Sequence, residues 1–485
     1  MMRAFTWIIL AILLDLSSLI DIIKCSSEEE ILSLPGLTQN LPFKQYSGYL
    51  NGTDGTSRLF YWLVESQRSP QNDPLLLWLN GGPGCSSISG LTSENGPIFI
   101  RDDHTVGIRS ASHAWNGFAN VLYLESPAGV GFSYHSKTSK AKLNDDTTAD
   151  NNYAALKHFF TKFPQYSNRP FFITGESYAG VYIPTLAQRV IRDSSINLIG
   201  LAIGNGILDF KINSETILSY ANFHGILGPT LWAKVQKECC SGPHCQYSPP
   251  VSHSCKLQVA AATQKIYNGG LNAYNFYDQC RQYGISQIRQ HAAFTTLTKD
   301  YQRPYGSPPC YNLSATITYF QRQDVKKALH VSDQANPWTV CNFDLLTSYN
   351  KIYKSAIQLI PALLSKCRVL LYYGDLDMVC NFLGGEQSLH STGLPTFGNY
   401  EPWYYNDSNG RQVGGFASVH PNLKFITIKG AGHLVPGDRP DEAYAMMKTF
   451  VEQPFKPPPF FNGNIGALVA VIFISLSGLV LEYFF

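Results

Sequence analysis

Residues 171–181, Phe-Phe-Ile-Thr-Gly-Glu-Ser-Tyr-Ala-Gly-Val, read as an apolar strand that runs into a tight turn and straight on into a helix. Few folds accept such a segment. A continuous apolar run is a strand buried on both faces, which belongs inside a mostly parallel sheet covered by helices. Ser177 sits at the turn, where small flanking residues let the backbone bend sharply and expose its Oγ, the setting of a nucleophile elbow. The motif departs from G-x-S-x-G by carrying Ala179. A methyl is more easily accommodated there than a larger side chain, so the mechanism survives the departure.

A serine hydroxyl is scarcely ionised at physiological pH, so it needs a base, and the base needs a carboxylate to fix its tautomer. Asp377 lies just past the apolar stretch 368–373, in Tyr-Gly-Asp-Leu-Asp, and His433 follows the stretch 423–428, in Gly-Ala-Gly-His. Each falls in a loop at the carboxyl end of an expected strand, where α/β sheets place their sites. The chain order Ser, Asp, His is that of α/β-hydrolases. Ser177, Asp377 and His433 are therefore the expected catalytic triad.

The rest of the chain fits an α/β class. Strands are expected over 58–65, 74–79, 120–125, 171–174, 198–203, 368–373 and 423–428, and helices over 147–163, 180–192, 323–329 and 440–451. With 485 residues, 44% hydrophobic and 15% charged, there is enough apolar material for one large core plus an insertion. Between residues 208 and 320 cysteines, aromatics and prolines replace the parallel-strand pattern. The expected organisation is a hydrolase core over 28–207 and 321–453, interrupted by a largely helical, disulfide-stapled cap over 208–320.

A formal charge of +2, with no long run of lysine or arginine, excludes an electrostatic track for nucleic acid. Arg3, the uncharged run 5–14 and a mixed stretch ending near Cys25 have the layout of a secretory signal peptide, assigned to residues 1–25. Eleven cysteines in a secreted chain should mostly pair. Cys239, Cys240, Cys245 and Cys255 crowd into one polar segment without paired C-x-x-C spacing, which reads as a stapled loop and not as a zinc site. No metal and no cofactor is expected. Asn51, Asn312 and Asn406 open glycosylation sequons in turn-rich surroundings. Residues 465–481 form an uncharged apolar run just long enough for a minimal membrane span. A membrane anchor is the favoured reading, against a removed anchor-addition signal near Asn462, Gly463 and Asn464 or a tail folded on the body. The expected location is the secretory pathway, lysosomal or extracellular, with membrane attachment if that segment anchors.

Trp78-Leu79-Asn80-Gly81-Gly82-Pro83-Gly84-Cys85-Ser86-Ser87, the GESYAG elbow, Asp375-Leu376-Asp377 and Gly430-Ala431-Gly432-His433 together closely resemble the serine carboxypeptidase family, in particular its lysosomal cathepsin A branch. The resemblance covers roughly residues 33 to 453. It implies an acyl-enzyme on Ser177, His433 as general acid/base, Asp377 as its orienter, and an oxyanion hole from the amides of Gly82 and Tyr178. It assigns the free carboxylate of a peptide substrate to Asn80, Glu94 and Glu176, supported by Trp78 and the backbone of Gly81. Two acids facing an anion imply that Glu94 and Glu176 share a proton at acidic pH, so acidic conditions are expected to favour cleavage. The resemblance further implies disulfides Cys85–Cys341, Cys239–Cys255, Cys240–Cys245 and Cys280–Cys310, and leaves room for a homodimer. Cys380 matches a free thiol near the site, whereas Cys367 departs from the pattern, so a Cys367–Cys380 bridge stays open. Leu434, where methionine is common, bears on packing of the leaving residue.

Two rivals share these motifs. An acyltransferase would resolve the same acyl-enzyme with an alcohol or amine. A noncatalytic stabilising partner of other lysosomal enzymes would need no triad at all.

Overall fold

The computed structural model describes residues 28–53, 55–136, 143–242, 244–268, 270–280 and 310–455. The signal-peptide assignment and the apolar segment 465–481 lie outside the described residues. Among the described residues no helix is long and apolar enough to cross a membrane.

The main sheet is built from β1 (Gln45–Asn51), β2 (Ser57–Val64), β3 (Leu75–Leu79), β4 (Asn120–Leu124), β5 (Phe171–Glu176), β6 (Leu198–Gly204), β7 (Arg368–Gly374), β8 (Phe397–Asp407), β9 (Gly410–His420) and β10 (Leu423–Ile428). A short strand, Tyr134–His135, adds to the edge of β2 and makes it eleven-stranded. The spatial order is β1-β2-β4-β3-β5-β6-β7-β10-β9-β8. From β4 to β10 neighbours run parallel; β1, β2, β8 and β9 pair antiparallel at the two flanks.

The apolar runs are explained by burial on both faces. In β3, Leu75, Leu77 and Leu79 pack with Leu156 and Phe159 of α1 (Asp145–Lys162) and Ile183 and Leu186 of α2 (Ala179–Val190). Leu76 and Trp78 point the other way, into the cluster holding Met446, Met447 and Phe450 of a C-terminal helix, Pro440–Glu452. Helices on both faces of a parallel centre give the α/β-hydrolase layout. The start of α1 is set by Asn144, whose side chain accepts from the Thr147 amide while Thr147 reaches back to the Asn144 amide, a capping box.

Within 208–320 a helix at the end, Ser314–Gln321, packs with Trp62 and Trp338 in the second cluster, and the preceding described residues form α3 (Phe210–Phe223), α4 (Pro229–Cys239) and α5 (His253–Asn268), with a small ribbon pairing Cys240–Ser241 and His244–Cys245. They have a third apolar cluster, including Leu218, Tyr220, Val235 and Ile266, which also takes in Leu376 and Met378. Those two residues flank Asp377, so this lobe packs directly on the loop that carries it.

Candidate active site

Ser177 occupies the turn between β5 and α2 with φ of 63°, a left-handed conformation that L-residues adopt only where their surroundings enforce it. Its amide donates to Gly204 O at 3.0 Å and its carbonyl accepts from Ile207 N at 3.0 Å, locking the turn onto the end of β6. A Cβ on Gly175 would fall on the Leu79 carbonyl, and one on Gly180 would lie 2.7–3.0 Å from the backbone of Ile207. Gly180, one place beyond the motif position, is thus where close approach is required, and Ala179 is tolerated.

Asp377 and His433 meet in the loops after β7 and β10. His433 Nδ1 lies 2.7 Å from Asp377 Oδ2, and both side chains are buried. Asp377 also accepts from Asn205 Nδ2 at 2.8 Å, Val379 N at 2.8 Å and Cys380 N at 3.2 Å. The His433 amide donates to Tyr274 O at 2.6 Å, and the Tyr274 ring stands edge-on to the imidazole. A Cβ on Gly374 would strike the carbonyls of Ala431 and Gly432, so the two loops touch backbone to backbone. The Cys380 sulfur and ligand atoms of Asp377 and His433 lie within 4.8 Å of one another, and Ser177 is close enough to the thiol to act on it electrostatically. This sulfur places Ser177 beside the other two. Burial, with Asp377 and Glu176 adding to it, pushes the thiol well up and keeps it protonated.

Glu176 ends β5 immediately before Ser177. Glu94 lies in a π-helical turn, Leu91–Asn95, a distortion common at functional sites. Asn80 joins them: its Nδ2 donates to Glu176 Oε1 at 2.8 Å and Glu94 Oε1 at 3.3 Å, while its Oδ1 accepts from Trp78 Nε1 at 2.7 Å. A Cβ on Gly90 would fall on the Trp78 nitrogen, which makes room for this relay a requirement on the helix before the π turn. Glu94 is 1% and Glu176 4% exposed. Burial raises both carboxyls above the ordinary range, and for Glu176 the neighbouring Glu94 adds to the rise. The two carboxyls interact directly, and Glu94 Oε2 and Glu176 Oε2 are reached by no other described donor.

Between this group and the elbow runs the glycine loop. Gly82 has φ of 112°, which excludes a side chain, and a Cβ on Gly81 would fall on the Tyr178 amide nitrogen. The loop is held by the Cys85–Cys341 disulfide and by hydrogen bonds Ser86 N to Val340 O and Asn342 N to Gly84 O, both 2.8 Å. Cys239–Cys255, Cys240–Cys245 and Cys280–Cys310 are also bonded, whereas Cys367 and Cys380 are free and buried. Asn51, Asn312 and Asn406 are exposed.

Two neighbours of the site carry no motif in the sequence analysis. Asn205, at φ of 39° after β6, bridges Asp377 and the Gly374 amide (3.0 Å). Asp438 accepts from Gly432 N at 2.7 Å and Asn275 Nδ2 at 3.0 Å, and burial pushes it up to about 6. The left-handed Asn-Gly at 205–206 is a turn signal that could have drawn attention to the first; the second has no local signal.

The model of the serine carboxypeptidase family matches residues 35–453. A lysosomal protective protein of Mus musculus is 41% identical over 449 residues, covering 88% of this chain and 94% of its own. A serine carboxypeptidase of Caenorhabditis elegans is 38% identical over 452 residues, covering 87% and 93%. Among solved structures, a prohormone-processing carboxypeptidase from Saccharomyces cerevisiae superimposes with a TM-score of 0.68 at 22% identity, covering 88% of this chain and 95% of its own, a likeness of fold.

Proposed function

The chain belongs to the serine carboxypeptidase family and is a hydrolase of that kind, and from this premise we propose that it removes C-terminal residues through an acyl-enzyme on Ser177, with acidic conditions favoured. His433 Nε2 takes the Ser177 proton as Oγ attacks the scissile carbonyl carbon. Asp377, bound to Nδ1, holds the tautomer and balances the imidazolium. The amides of Gly82 and Tyr178 donate to the oxyanion. His433 then passes its proton to the departing amine, and water, activated by the same imidazole, releases the acyl group.

One observation carries the exopeptidase part: the Asn80 amide spans Glu94 and Glu176 directly beside Ser177. Sharing a proton, this group can donate to a terminal carboxylate, with Trp78 and the Gly81 backbone behind it. Since both acids titrate above the ordinary range, the proton is present at acidic pH and is lost as pH rises, when two negative charges repel the substrate. The mouse relative's name supports a lysosomal or secretory compartment. The lobe within 208–320 acts as a cap over the site. Glycosylation at Asn51, Asn312 and Asn406, association as a homodimer and membrane attachment through 465–481 are parts of the same proposal. Carbonate extraction with and without a phospholipase that cuts lipid anchors tests the last.

The enzymatic core of the proposal is tested by fluorophosphonate labelling together with hydrolysis of an N-blocked dipeptide bearing a free carboxylate. Labelling and amino-acid release are expected in the wild type and absent in Ser177→Ala. Labelling that persists in the variant would contradict the assignment, and acyl transfer to added alcohol without hydrolysis would favour a transferase.

A further inference from the structure

Each of the two amides assigned to the oxyanion hole is backed by a buried carboxyl group that takes no part in the mechanism above. On the Gly82 side, the Ser86 hydroxyl further along the same loop reaches Glu125, which lies just past the end of β4 and is fully buried. It accepts from the Ser86 hydroxyl, from Phe132 N at 2.6 Å and from Trp338 Nε1 at 3.0 Å. These donors come from separate stretches of chain. Ser86 continues the glycine loop, and Trp338 leads through Val340 to Cys341, the disulfide partner of Cys85. Glu125 therefore stands at the junction where the oxyanion loop is fastened to the 338–342 segment. A Cβ on Gly131 would fall on its carboxyl, so the backbone also closes over it.

Behind Tyr178 stands Asp145, fully buried in the first turn of α1. It accepts from the Tyr178 hydroxyl at 2.8 Å, Ile352 N at 2.6 Å and Tyr353 N at 3.0 Å. The Tyr178 ring is held edge-on by Tyr182 and Tyr349, with centroids 5.1 and 5.8 Å away, so its hydroxyl is the polar end that Asp145 fixes. Burying a carboxyl is costly compared with an apolar group of the same volume. For Glu125 burial pushes the group up to about 7 in spite of its donors. Two such groups, one behind each amide, point to a shared task.

We propose that Glu125 and Asp145 are positioning residues of the oxyanion hole: Glu125 sets the Gly82 amide through Ser86 and the Cys85–Cys341 junction, and Asp145 sets the Tyr178 amide through the Tyr178 hydroxyl. This rests on the assignment of those two amides as oxyanion donors. Such a role acts on the transition state and leaves ground-state binding nearly untouched.

The test compares Glu125→Gln and Asp145→Asn in the full chain. For an N-blocked dipeptide, kcat should fall about 10- to 100-fold with KM within about 3-fold. Two inhibitors separate the states. In a peptide aldehyde, Ser177 Oγ adds to the carbonyl carbon, the C=O π pair moves onto the oxygen between the two amides, and His433 takes the serine proton. A reduced-bond analogue, with CH2–NH in place of the scissile amide, has no such oxygen. Aldehyde affinity should fall in parallel with kcat while reduced-bond affinity stays within about 3-fold. Tyr178→Phe keeps both carboxyls and cuts only its link to Asp145, while Ser86→Ala cuts the link to Glu125 together with the cap that Ser86 Oγ provides to Ile88 N; both should move the same readouts about 3- to 10-fold even if the first two variants misfold. Equal losses for both inhibitors, or unchanged aldehyde affinity in the folded variants, would overturn the proposal. A wild type that binds the aldehyde no better than the reduced-bond analogue would instead overturn the oxyanion assignment beneath it.

Discussion

Two groups of buried acid flank Ser177, and they differ in the donors that reach them. Asp377 receives Asn205 Nδ2 and the amides of Val379 and Cys380, and faces His433 Nδ1. Glu94 and Glu176 share the Asn80 amide and are otherwise left to each other. Side-chain chemistry and depth are similar. Donor supply separates them: in the proposal the well-supplied Asp377 faces the imidazole, whereas the poorly supplied pair, raised by burial, holds a proton for the substrate.

The largest effect is expected from breaking the charged side. Asp377→Asn should lower kcat about 10,000-fold with little change in KM, as the imidazole loses its tautomer and counter-charge. Steady-state kinetics at acidic pH checks this, and a loss under about 10-fold would contradict the distinction. Asn80→Ala removes the donor common to both glutamates and should lower kcat/KM about 10- to 100-fold, mainly through KM. A substrate with an amidated C-terminus should lose less.

Glu176→Gln and Glu94→Gln sharpen the other side. Each leaves a neutral group able to donate, so at acidic pH the loss should stay within about 10-fold while the rise of KM towards neutral pH flattens. The smallest effect is on stability. Glu94 and Glu176 are raised, Asp438 to about 6 and Glu125 to about 7, all by burial. A carboxyl raised in the folded state gives its full contribution below its ordinary pKa of about 4 and loses it as pH rises through the raised value. Thermal melts should therefore give a higher Tm at pH 5 than at pH 7.5, with the gap narrowed in Glu94→Gln.

The same contrast between well-marked and unmarked environments governs what the sequence discloses. β3, β5 and β7 are buried on both faces and stand out as apolar runs, while β1, β8 and β9, at the flanks of the sheet, interrupt their apolar positions with polar residues and glycines and offer no such run to mark them as strands. α3, α4 and α5 each mix apolar with polar positions, and only the general helical character of that stretch was anticipated. In the site, Ser177, Asp377 and His433 announce themselves by strand ends and order, and Asn80, Glu94 and Glu176 by resemblance. Asn205, Asp438, Glu125 and Asp145 do not. Their importance lies in donors from distant segments, such as Trp338 on Glu125 and Ile352 on Asp145, which only the folded chain brings together.

The central claim, that a proton shared by Glu94 and Glu176 reads the terminal carboxylate, is tested most directly by KM against pH for a matched pair of N-blocked dipeptides, one with a free and one with an amidated C-terminus. The account predicts that KM for the free acid climbs steeply as pH rises towards neutral while KM for the amide changes little. Parallel curves for the two substrates would contradict it.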